Sequence, residues 1–309
     1  MTPFDSLWNP QNRPNYAQLS RAIQGFTAGL APTRPPRDPR FPRLTVVTPS
    51  YNQAEFLERT LLSVLNQGYP NLEYIVIDGG STDGSVDIIR QYAPYLHFWV
   101  SEPDGGQAEA INKGLRMATG DWVAFQNSDD LYLPGALATL AQAMEQHPEA
   151  GVVYGDFLHI DAGDRVLDAQ LTLPARLWMQ LSQGSQIHNQ SAFWRRSLLE
   201  RCGYLRPDLD FCFDYEFFTR LLSHGAKPWH VDHYIGAFRR HAAAKSSTIL
   251  DVAAAEDHRV FQEYSGLLSW HIPRPLHRRI GSMYRWSWLV LSGKTWYPFR
   301  KMLPPRTSA

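Results

Sequence analysis

Two adjacent carboxylates, Asp129 and Asp130, follow the apolar run "WVAF" in the stretch "QNSDDLYLPG", residues 126–135. Adjacent aspartates repel each other, so they need a positively charged partner or contact with water. A divalent cation is one such partner, because it prefers oxygen ligands. A hydrated turn that leads into a loop is the alternative. The pair alone is compatible with either a cation site or a turn.

A second acidic stretch, "DGGSTDGS", begins with Asp78 at the end of another apolar run. A carboxylate there can accept hydrogen bonds from ribose hydroxyls or a base N–H. The alternative is a glycine-rich turn in which Ser81 or Asp83 caps the next helix. The stretch is neither a dinucleotide-binding G-x-G-x-x-G nor a Walker loop, and the "GKT" at Gly293 lacks the upstream glycine of that loop. The sequence therefore lacks the phosphate-binding loops of dehydrogenases and NTPases.

A third polar stretch, "EPDGGQAEAINKG", places Asp104 before two glycines and a helical pattern. Asp104 either caps that helix or also reaches toward a ligand. Gln107 and Lys113 lie in the same stretch and are less committed to the turn.

The elements that position these stretches alternate between strand and helix. Apolar runs of strand type begin near Leu44, Leu72, Leu96 and Asp121. Between them, apolar residues recur with helical spacing, as at Leu57, Leu61, Val64 and Leu65. This alternation predicts a parallel sheet covered by helices, with ligands bound where the carboxyl ends of the strands meet. Three of the four polar strand ends are acidic, so at one edge they would repel unless they hold cations or bind a polyol.

Composition excludes several classes of partner. Thirty basic and thirty acidic residues cancel, so no overall positive charge favours nucleic acid. The only cysteines, Cys202 and Cys212, form neither a disulfide framework nor a metal-binding spacing. The first residues lack the pattern of a signal peptide, and no sustained apolar span is long enough to cross a membrane. We expect a cytoplasmic protein that at most contacts the inner face of a membrane peripherally.

Two segments carry a resemblance to a known family: "VVTPSYNQAEFLERTLLSVLNQGYPNLEYIVIDGGSTDGSVDII" and "EPDGGQAEAINKGLRMATGDWVAFQNSDDLYLPGAL". Together they resemble the inverting glycosyltransferases of family 2, over about residues 43–245. The resemblance implies a GT-A-type, Rossmann-like fold with a mainly parallel sheet flanked by helices. It also implies a nucleotide site with the candidate residues Pro49, Tyr51, Asn52, Asp78, Asp104 and Lys113.

The resemblance further implies a metal site. The D-x-D motif of the family falls on Asn127, Ser128 and Asp129, so Asn127 replaces the first aspartate and one formal charge is lost. Mn²⁺ or Mg²⁺ usually takes one or two carboxylates plus substrate phosphates, which Asp129 and a donor diphosphate would supply. His241 is the second candidate metal ligand. Asp130 either contacts sugar hydroxyls, as Asn127 is also expected to do, or caps the following turn.

The catalytic base is expected in "CFDYEFFTRLL", where Asp214 and Glu216 compete. They lie two residues apart and so occupy different faces of a helix. The resemblance places the base at Asp214 and leaves Glu216 as a charge near the start of the helix, favoured by the helix dipole.

Two further segments are expected to line the pocket. "QIHNQ" offers His188 and Gln190 for the sugar or acceptor, although a single histidine is often structural. "FRRHAAAKSS" offers His241 and Lys245 for the diphosphate, where positive charge would stabilise the leaving group. The alternative for this second segment is a solvated basic loop.

Three regions follow from this organisation. Residues 1–43 form a proline-rich extension with one short helix, and residues 44–248 form the GT-A domain, with a nucleotide-binding half at 44–130 and an acceptor half at 131–248. Residues 249–309 form a helical region that is rich in aromatic and basic residues. The last part of this region either lies in a membrane interface or folds back on the domain. Because every motif lies upstream, removal of residues 270–309 is expected to leave donor binding nearly unchanged.

The expected activity is metal-dependent, inverting transfer of a hexosyl or N-acetylhexosaminyl group from a nucleoside diphosphate sugar, preferentially a UDP-sugar. The acceptor would be a hydroxyl of a saccharide, a lipid-linked molecule or a protein, in polysaccharide or glycoconjugate synthesis. One alternative is a nucleotide-sugar-binding module without activity, because a fold does not fix a function. The other is a nucleotidyltransferase, but "PSYNQAEF" lacks the glycine-rich basic loop of such enzymes.

Overall fold

Nine strands of the described chain join in one sheet that is flanked by helices. The computed structural model describes residues 7–11, 13–29, 35–268 and 274–299, so the outer parts of the expected terminal regions, 1–6 and 300–309, lie outside the described residues. The strands are β1 (Leu44–Ser50), β2 (Leu72–Asp78), β3 (Phe98–Ser101), β4 (Trp122–Phe125), β5 (Leu131–Tyr132), β6 (Val152–Ile160), β7 (Val166–Gln170), β8 (Ala192–Arg195) and β9 (Pro228–Arg239). The helices are α1 (Tyr16–Phe26), α2 (Ala54–Leu65), α3 (Ser85–Tyr92), α4 (Gln107–Met117), α5 (Ala136–Gln146), α6 (Leu177–Gln183), α7 (Ser197–Cys202), α8 (Phe213–Ser223), α9 (Lys245–Thr248), α10 (Leu250–Ser265) and α11 (Arg274–Leu291).

The first four strands form the parallel half of the sheet, in the order β3-β2-β1-β4. Every residue of β1 is buried, as expected for a central strand that is covered on both faces. The intervening helices bury apolar side chains, among them the four that the spacing predicted in α2, Leu57, Leu61, Val64 and Leu65. The predicted alternation of strand and helix is confirmed, and the carboxyl ends of these four strands lie at one edge.

The second half of the sheet is mixed rather than parallel. β8 pairs antiparallel with β4, and one edge of β6 pairs antiparallel first with β8 and then with β7. The other edge of β6 pairs with β9 in parallel, and β9 also pairs antiparallel with β5. The expectation of a mainly parallel sheet therefore applies to β1–β4. Through β5 and β9, this half brings distant segments next to the acidic end of β4.

The terminal regions contribute to a second hydrophobic core. Trp8, Leu19 and Ile23 pack with Leu289 and Tyr297 and with apolar residues of β5, β6, β7 and β9. The helix α1 forms where the sequence predicted a short helix. Both ends of the described chain are thus packed against the sheet.

A buried ionic group holds the C-terminal segment in place. Lys294 is fully buried, and its Nζ atom lies 3.6 Å from Asp156 Oδ2. Lys294 also pairs with Asp232. His230 Nε2 lies 3.0 Å from the other oxygen of Asp156. Because α11 packs on α6, the alternative in which the tail folds back on the domain agrees with the structure. Within the described residues, no helix combines the length and the apolar character needed to cross a membrane.

Candidate active site

A cleft of about 670 Å³ opens at the carboxyl ends of the parallel strands. Each of the four predicted strand ends contributes to its lining, through Pro49, Ser50 and Tyr51, through Gly79, through Pro103 and Asp104, and through Asn127, Ser128 and Asp129. The segments around Asp214 and Lys245 also line the cleft. A smaller cavity of about 250 Å³ lies at the other edge of the sheet, beside Arg43 and Leu72. The predicted convergence of the polar strand ends is therefore present, and it marks the larger cleft as the candidate site.

Asp78 organises the turn that follows β2. It is fully buried, and one carboxylate oxygen accepts hydrogen bonds from the N–H groups of Gly80 at 3.1 Å and Ser81 at 2.9 Å and from the Ser101 hydroxyl at 2.7 Å. The other oxygen accepts one from the Ser81 hydroxyl at 2.5 Å. Asp78 is not among the residues that line the cleft, whereas the next residue, Gly79, is. The contact of Asp78 with a nucleotide stays a prediction, and its carboxylate has few acceptor positions left for one.

The loop after β1 presents an aromatic ring to the cleft. Tyr51 is 63% exposed. Its neighbour Asn52 has a left-handed backbone, with φ of 50°, and joins two loops: its N–H donates to the Ser81 hydroxyl at 2.8 Å and its side-chain oxygen accepts from the Thr82 N–H at 2.9 Å. Asn52 thus fixes the shape of the loop, whereas Pro49 and Tyr51 face the cleft.

The turn after β3 brings one of its two candidates to the cleft. Asp104 lines the cleft, and its carboxylate accepts a hydrogen bond from the N–H of Gly106, the residue just before α4, at 2.9 Å. Lys113 is ion-paired with Glu102 and is not among the residues that line the cleft. Gln107 lines the cleft and donates a hydrogen bond to the side-chain oxygen of Asn127 at 2.8 Å. The contact of Lys113 with a nucleotide stays a prediction.

The acidic end of β4 separates its two aspartates. Asp129 lines the cleft, whereas Asp130 is buried and points away from it. The Asp130 carboxylate accepts hydrogen bonds from the Arg239 N–H at 3.0 Å and from the side-chain amide of Asn127 at 3.2 Å. Burial, and secondarily the nearby charge of Asp129, raise the pKa of Asp130 well above its usual range. The turn interpretation fits Asp130, and the cation interpretation fits Asp129.

Arg239, which the sequence analysis did not single out, braces this turn from β9. It is fully buried, and its Nε atom donates to the backbone oxygen of Asp129 at 2.7 Å. Its guanidinium pairs with Asp164 and lies 4.9 Å from the centre of the Phe56 ring. Asp164 also pairs with Arg59 at 3.0 Å. The sequence shows Arg239 only as one of two adjacent arginines, and its partner Asp164 lies in a distant hairpin that the sequence does not indicate.

Asp129 and His241 form a pair of metal-ligating groups. His241 Nε2 lies 3.0 Å from Asp129 Oδ2, and the imidazole packs against Phe56 with ring centres 4.6 Å apart. No group of three or more such residues occurs in the part of the chain that the structure describes. A divalent ion bound between protein and a diphosphate needs only one or two protein ligands, because phosphate oxygens and water complete its shell. The residues present therefore fit a cation that is shared with a phosphorylated ligand.

Asp214 faces the same cleft from the first turn of α8. One carboxylate oxygen accepts a hydrogen bond from the Tyr215 N–H at 2.7 Å. Protein atoms surround the Asp214 carboxylate, although part of the residue remains exposed. This desolvation raises the pKa of Asp214 from 3.8 to about 6, whereas the backbone hydrogen bonds act in the opposite direction. A carboxylate with such a pKa is suited to accept a proton near neutral pH.

Glu216 has a different environment from its neighbour. It is fully buried and accepts hydrogen bonds from Arg220 at 2.9 and 3.0 Å and from the Tyr264 hydroxyl at 2.6 Å. The residue is therefore more than a charge at the start of a helix: it forms an ion pair with Arg220 within α8, and its hydrogen bond from Tyr264 joins α8 to α10. With all its oxygens engaged and no place in the lining of the cleft, it leaves Asp214 as the available carboxylate.

The loop before α8 is held by a residue from α10. Glu256 accepts hydrogen bonds from the N–H groups of Asp210 at 2.7 Å, Phe211 at 2.9 Å and Cys212 at 2.7 Å. Asp210 and Phe211 line the cleft directly beside Asp214. The sequence does not indicate this role of Glu256, because a single glutamate on an amphipathic helix carries no signal of the loop that it will contact.

Lys245 lies at the mouth of the cleft, and its ammonium donates to the backbone oxygen of Asp210 at 3.2 Å. Partial burial lowers the pKa of Lys245, and the carboxylates of Asp210 and Glu256 oppose that shift. The segment is thus a cationic wall of the cleft rather than a loop remote from it.

The "QIHNQ" segment contributes its middle asparagine to the cleft. Asn189 is 6% exposed, lines the cleft, and its side-chain nitrogen has no hydrogen-bond partner among the described residues. His188 and Gln190 are not in the lining, and burial lowers the pKa of His188 to about 4. The segment was found by its resemblance, but the residue that faces the cleft is one position from both candidates. Their contact with sugar or acceptor stays a prediction.

With this geometry in place, the comparison with known proteins is specific. The sequence model of glycosyl transferase family 2 matches residues 45–200. A PGL/p-HBAD biosynthesis glycosyltransferase of Mycobacterium bovis is 30% identical over 211 residues, which cover 67% of this chain and 80% of that protein. The chain belongs to glycosyl transferase family 2, and its activity is that of a glycosyltransferase.

Solved structures share the fold at low sequence identity. S. aureus TarS 1-349, in complex with UDP-GlcNAc, has a TM-score of 0.61 and 18% identity, with 82% of this chain and 75% of that one covered. The chain covers 41% of a longer TarS chain. The mannosyltransferase PcManGT from Pyrobaculum calidifontis, in complex with GDP-Man and Mn²⁺, has a TM-score of 0.56 and 22% identity, with 91% and 81% covered. These similarities confirm the predicted GT-A-type fold.

Proposed function

We propose that the protein transfers a sugar from a nucleoside diphosphate sugar to a hydroxyl acceptor, with inversion at the anomeric carbon and with help from a divalent metal ion. The observation that carries the proposal is the arrangement of two unlike carboxylates on one cleft. Asp129 lies beside His241 on the donor side, whereas Asp214 has a pKa raised to about 6 on the other wall. One carboxylate suits cation binding and the other suits proton transfer.

The donor would occupy the parallel-strand side of the cleft. Tyr51 offers an exposed ring on which a base can stack, and Asp104 offers an acceptor for ribose hydroxyls. Lys245 would supply positive charge to the departing diphosphate, and its position in the lining of the cleft supports this role. A UDP-sugar is the donor that we favour, and the UDP-GlcNAc and GDP-Man of the two structural neighbours support a nucleotide-sugar donor in general.

Asp129 and His241 would hold Mn²⁺ or Mg²⁺ together with the donor diphosphate. Such an ion, when bound, neutralises the negative charge that develops on the departing diphosphate. The distance of 3.0 Å between His241 Nε2 and Asp129 Oδ2 supports one ion that is shared by both side chains. The Mn²⁺ of the PcManGT complex supports manganese as the first ion to test.

Asp214 would act as general base toward the acceptor hydroxyl. The acceptor oxygen attacks the anomeric carbon as the bond to the diphosphate breaks, and its proton passes to the Asp214 carboxylate. A single displacement of this kind inverts the configuration. Asn189, with an unpartnered amide nitrogen on the same cleft, is placed to donate a hydrogen bond to a sugar hydroxyl. The group transferred would be a hexosyl or N-acetylhexosaminyl unit, for polysaccharide or glycoconjugate synthesis.

One experiment separates this proposal from its rivals. The purified protein is incubated with Mn²⁺ and a panel of nucleotide sugars and acceptors, and the released products are identified. Free nucleoside diphosphate together with a product of inverted anomeric configuration, determined by NMR, supports the proposal. Pyrophosphate would indicate a nucleotidyltransferase, and a donor-induced rise in melting temperature without any turnover would indicate a binding module.

A further inference from the structure

The helix α11 has a buried side and an exposed side that carries apolar residues. Its inner side buries Leu289 and His277 at 3% and 2% exposure. Its outer face consists of Leu276, Met283, Trp286, Val290 and Leu291, whose exposures are 44, 71, 50, 53 and 86%. Single exposed apolar residues are ordinary on a protein surface, whereas several on one side of a helix indicate an interaction site.

The outer face of α11 follows the period of the helix. Leu276, Met283 and Val290 are spaced by seven residues, so their side chains lie on one side of the helix. The opposite side packs on α6, where Gln183 donates a hydrogen bond to the backbone oxygen of Arg278 at 2.7 Å and Tyr284 contacts Trp178. The helix is therefore fixed to the domain with its apolar row directed outward.

The charged residues of α11 are all basic. Arg278 and Arg279 on α11 are exposed. Residues 264–309 contain eight lysines or arginines and no aspartate or glutamate, whereas residues 1–263 contain thirty acidic and twenty-two basic residues. The basic charge that neutralises the chain is thus concentrated at the end that carries α11.

The neighbouring acidic residues are engaged elsewhere. α10 approaches the start of α11, where Phe261 contacts His277. On α10, Glu256 binds the backbone of the loop before α8, and Glu263 pairs with Arg206 at 2.8 Å. These carboxylates therefore do little to cancel the positive charge of Arg278 and Arg279.

We propose that the outer face of α11 docks on an anionic lipid surface. Apolar side chains would enter the boundary between headgroups and acyl chains, Trp286 would lie at that boundary, and Arg279 on the same face, with Arg278 next to it in sequence, would contact anionic headgroups. A second copy of this chain suits the face less well, because an isologous contact would pair α11 with itself, and α11 has no carboxylate to offer the arginines. This inference is independent of the sugar-transfer chemistry.

Docking would also orient the cleft. α11 packs on α6, and α6 packs on α8, whose first turn carries Asp214. The wall of the cleft that is assigned to the acceptor is therefore two helices away from the docking face. Such an arrangement suits an acceptor that is anchored in the same lipid surface.

The test measures sedimentation of the full-length protein with vesicles at low ionic strength. Vesicles of phosphatidylcholine with phosphatidylglycerol should bind it more strongly than vesicles of phosphatidylcholine alone. Met283→Ser/Val290→Ser should lower the partition coefficient roughly tenfold or more, because two apolar side chains are lost from the interface. Arg278→Glu/Arg279→Glu should lower it by a similar factor on the anionic vesicles only.

Leu167→Ser/Leu250→Ser is the matched control, because these side chains are 48 and 64% exposed but lie outside α11. It should bind like the wild type, and all variants should melt at the same temperature. The proposal is overturned if the wild type does not sediment with anionic vesicles, or if Met283→Ser/Val290→Ser sediments normally. It is also overturned if the wild type is a dimer that this variant converts to a monomer, since a second copy would then cover the face.

Discussion

Asp214 carries the first prediction at the scale of single residues. Asp214→Asn should keep the shape of the cleft and the affinity for the donor, because the amide is isosteric and the donor side lies across the cleft. Turnover should fall by roughly 10²-fold or more, the usual loss for a general base. The measurement is kcat beside the donor Kd from calorimetry, with the exposed Asp87→Asn as a matched control. Normal turnover in Asp214→Asn would assign the base to another group.

The pH dependence of Asp214 has a defined sign. Its folded-state pKa of about 6 lies above the ordinary 3.8, so the folded protein retains a proton that the unfolded chain has lost between these values. Activity should therefore rise as the pH increases through about 6. The contribution of this group to the free energy of unfolding should fall as the pH increases from 3.8 to about 6. Asp214→Asn should be at least as stable as the wild type at neutral pH, which chemical denaturation at several pH values can check.

Asp129 carries a prediction about the metal. Asp129→Ala should remove the main carboxylate offered to the cation, and so weaken the Mn²⁺-dependent part of donor binding as well as turnover. Asp104→Ala is the comparison variant, because Asp104 lines the same cleft but is not proposed to bind the metal ion. Calorimetry of UDP with and without Mn²⁺ measures the effect. An unchanged metal dependence in Asp129→Ala would place the ion on other residues.

Asn127 shows where the structure changes an expectation. By resemblance alone, Asn127→Asp would be tolerated or would tighten metal binding. In the structure, the Asn127 amide donates to buried Asp130 at 3.2 Å, so an aspartate there would face a second carboxylate without a donor. We expect Asn127→Asp to lose about 1–3 kcal/mol of unfolding free energy without metal. Asn127→Ala separates the lost hydrogen bond from the added charge. An unaltered urea midpoint in Asn127→Asp would contradict this.

The sequence predicted which strand ends meet at the cleft more accurately than it predicted the contacts of each side chain. Asp129, Asp104 and Tyr51 line the cleft, as their positions after parallel strands predicted. Asp78 and Asp130 come from the same turns, but their oxygens are engaged by neighbouring N–H and hydroxyl groups. Spacing identifies a strand end, whereas the hydrogen bonds inside a turn depend on side-chain directions that spacing does not encode.

At the scale of elements, α10 positions the loop that lies beside Asp214. Glu256→Gln keeps the size of the side chain but replaces one acceptor oxygen with a donor that faces backbone N–H groups. We expect the loop at residues 210–212 to loosen, with a loss in kcat of roughly tenfold and a small change in donor affinity. Glu263→Gln, which removes a surface ion pair of the same helix, is the control. Equal kinetics in both variants would show that the loop does not need Glu256.

The two halves of the sheet differ in how well the sequence predicted them. The parallel half followed from apolar runs and helical spacing, since those patterns are local. The antiparallel pairing of β8 with β4 and β6 joins segments that lie far apart in the chain, and no local pattern indicates which strand meets which. The contact of Glu256 with the loop before α8 has the same origin. Long-range pairing therefore accounts for most of what the sequence analysis missed.

At the scale of the whole molecule, the C-terminal region is part of the fold. The sequence motifs end before it, so its removal was expected to leave donor binding nearly unchanged. In the structure, Leu289 and Tyr297 close the second core together with Trp8, and Lys294 is the buried partner of Asp156. A truncation that looks neutral for the motifs would therefore expose apolar surface and leave a carboxylate buried without its cation.

Removal of residues 270–309 should accordingly destabilise the protein rather than test the tail alone. The loss of one partner from a buried ion pair typically costs about 3–5 kcal/mol, to which the exposed core adds. Lys294→Met isolates the ionic part, and Asp156→Asn/Lys294→Met should recover part of the loss because no unpaired buried charge remains. Urea unfolding of the four proteins provides the measurement, with the donor-binding Kd measured on the folded fraction. If the truncated chain unfolds at the wild-type urea concentration, Lys294 and α11 contribute nothing to the stability of the domain, and the tail is a separate appendage.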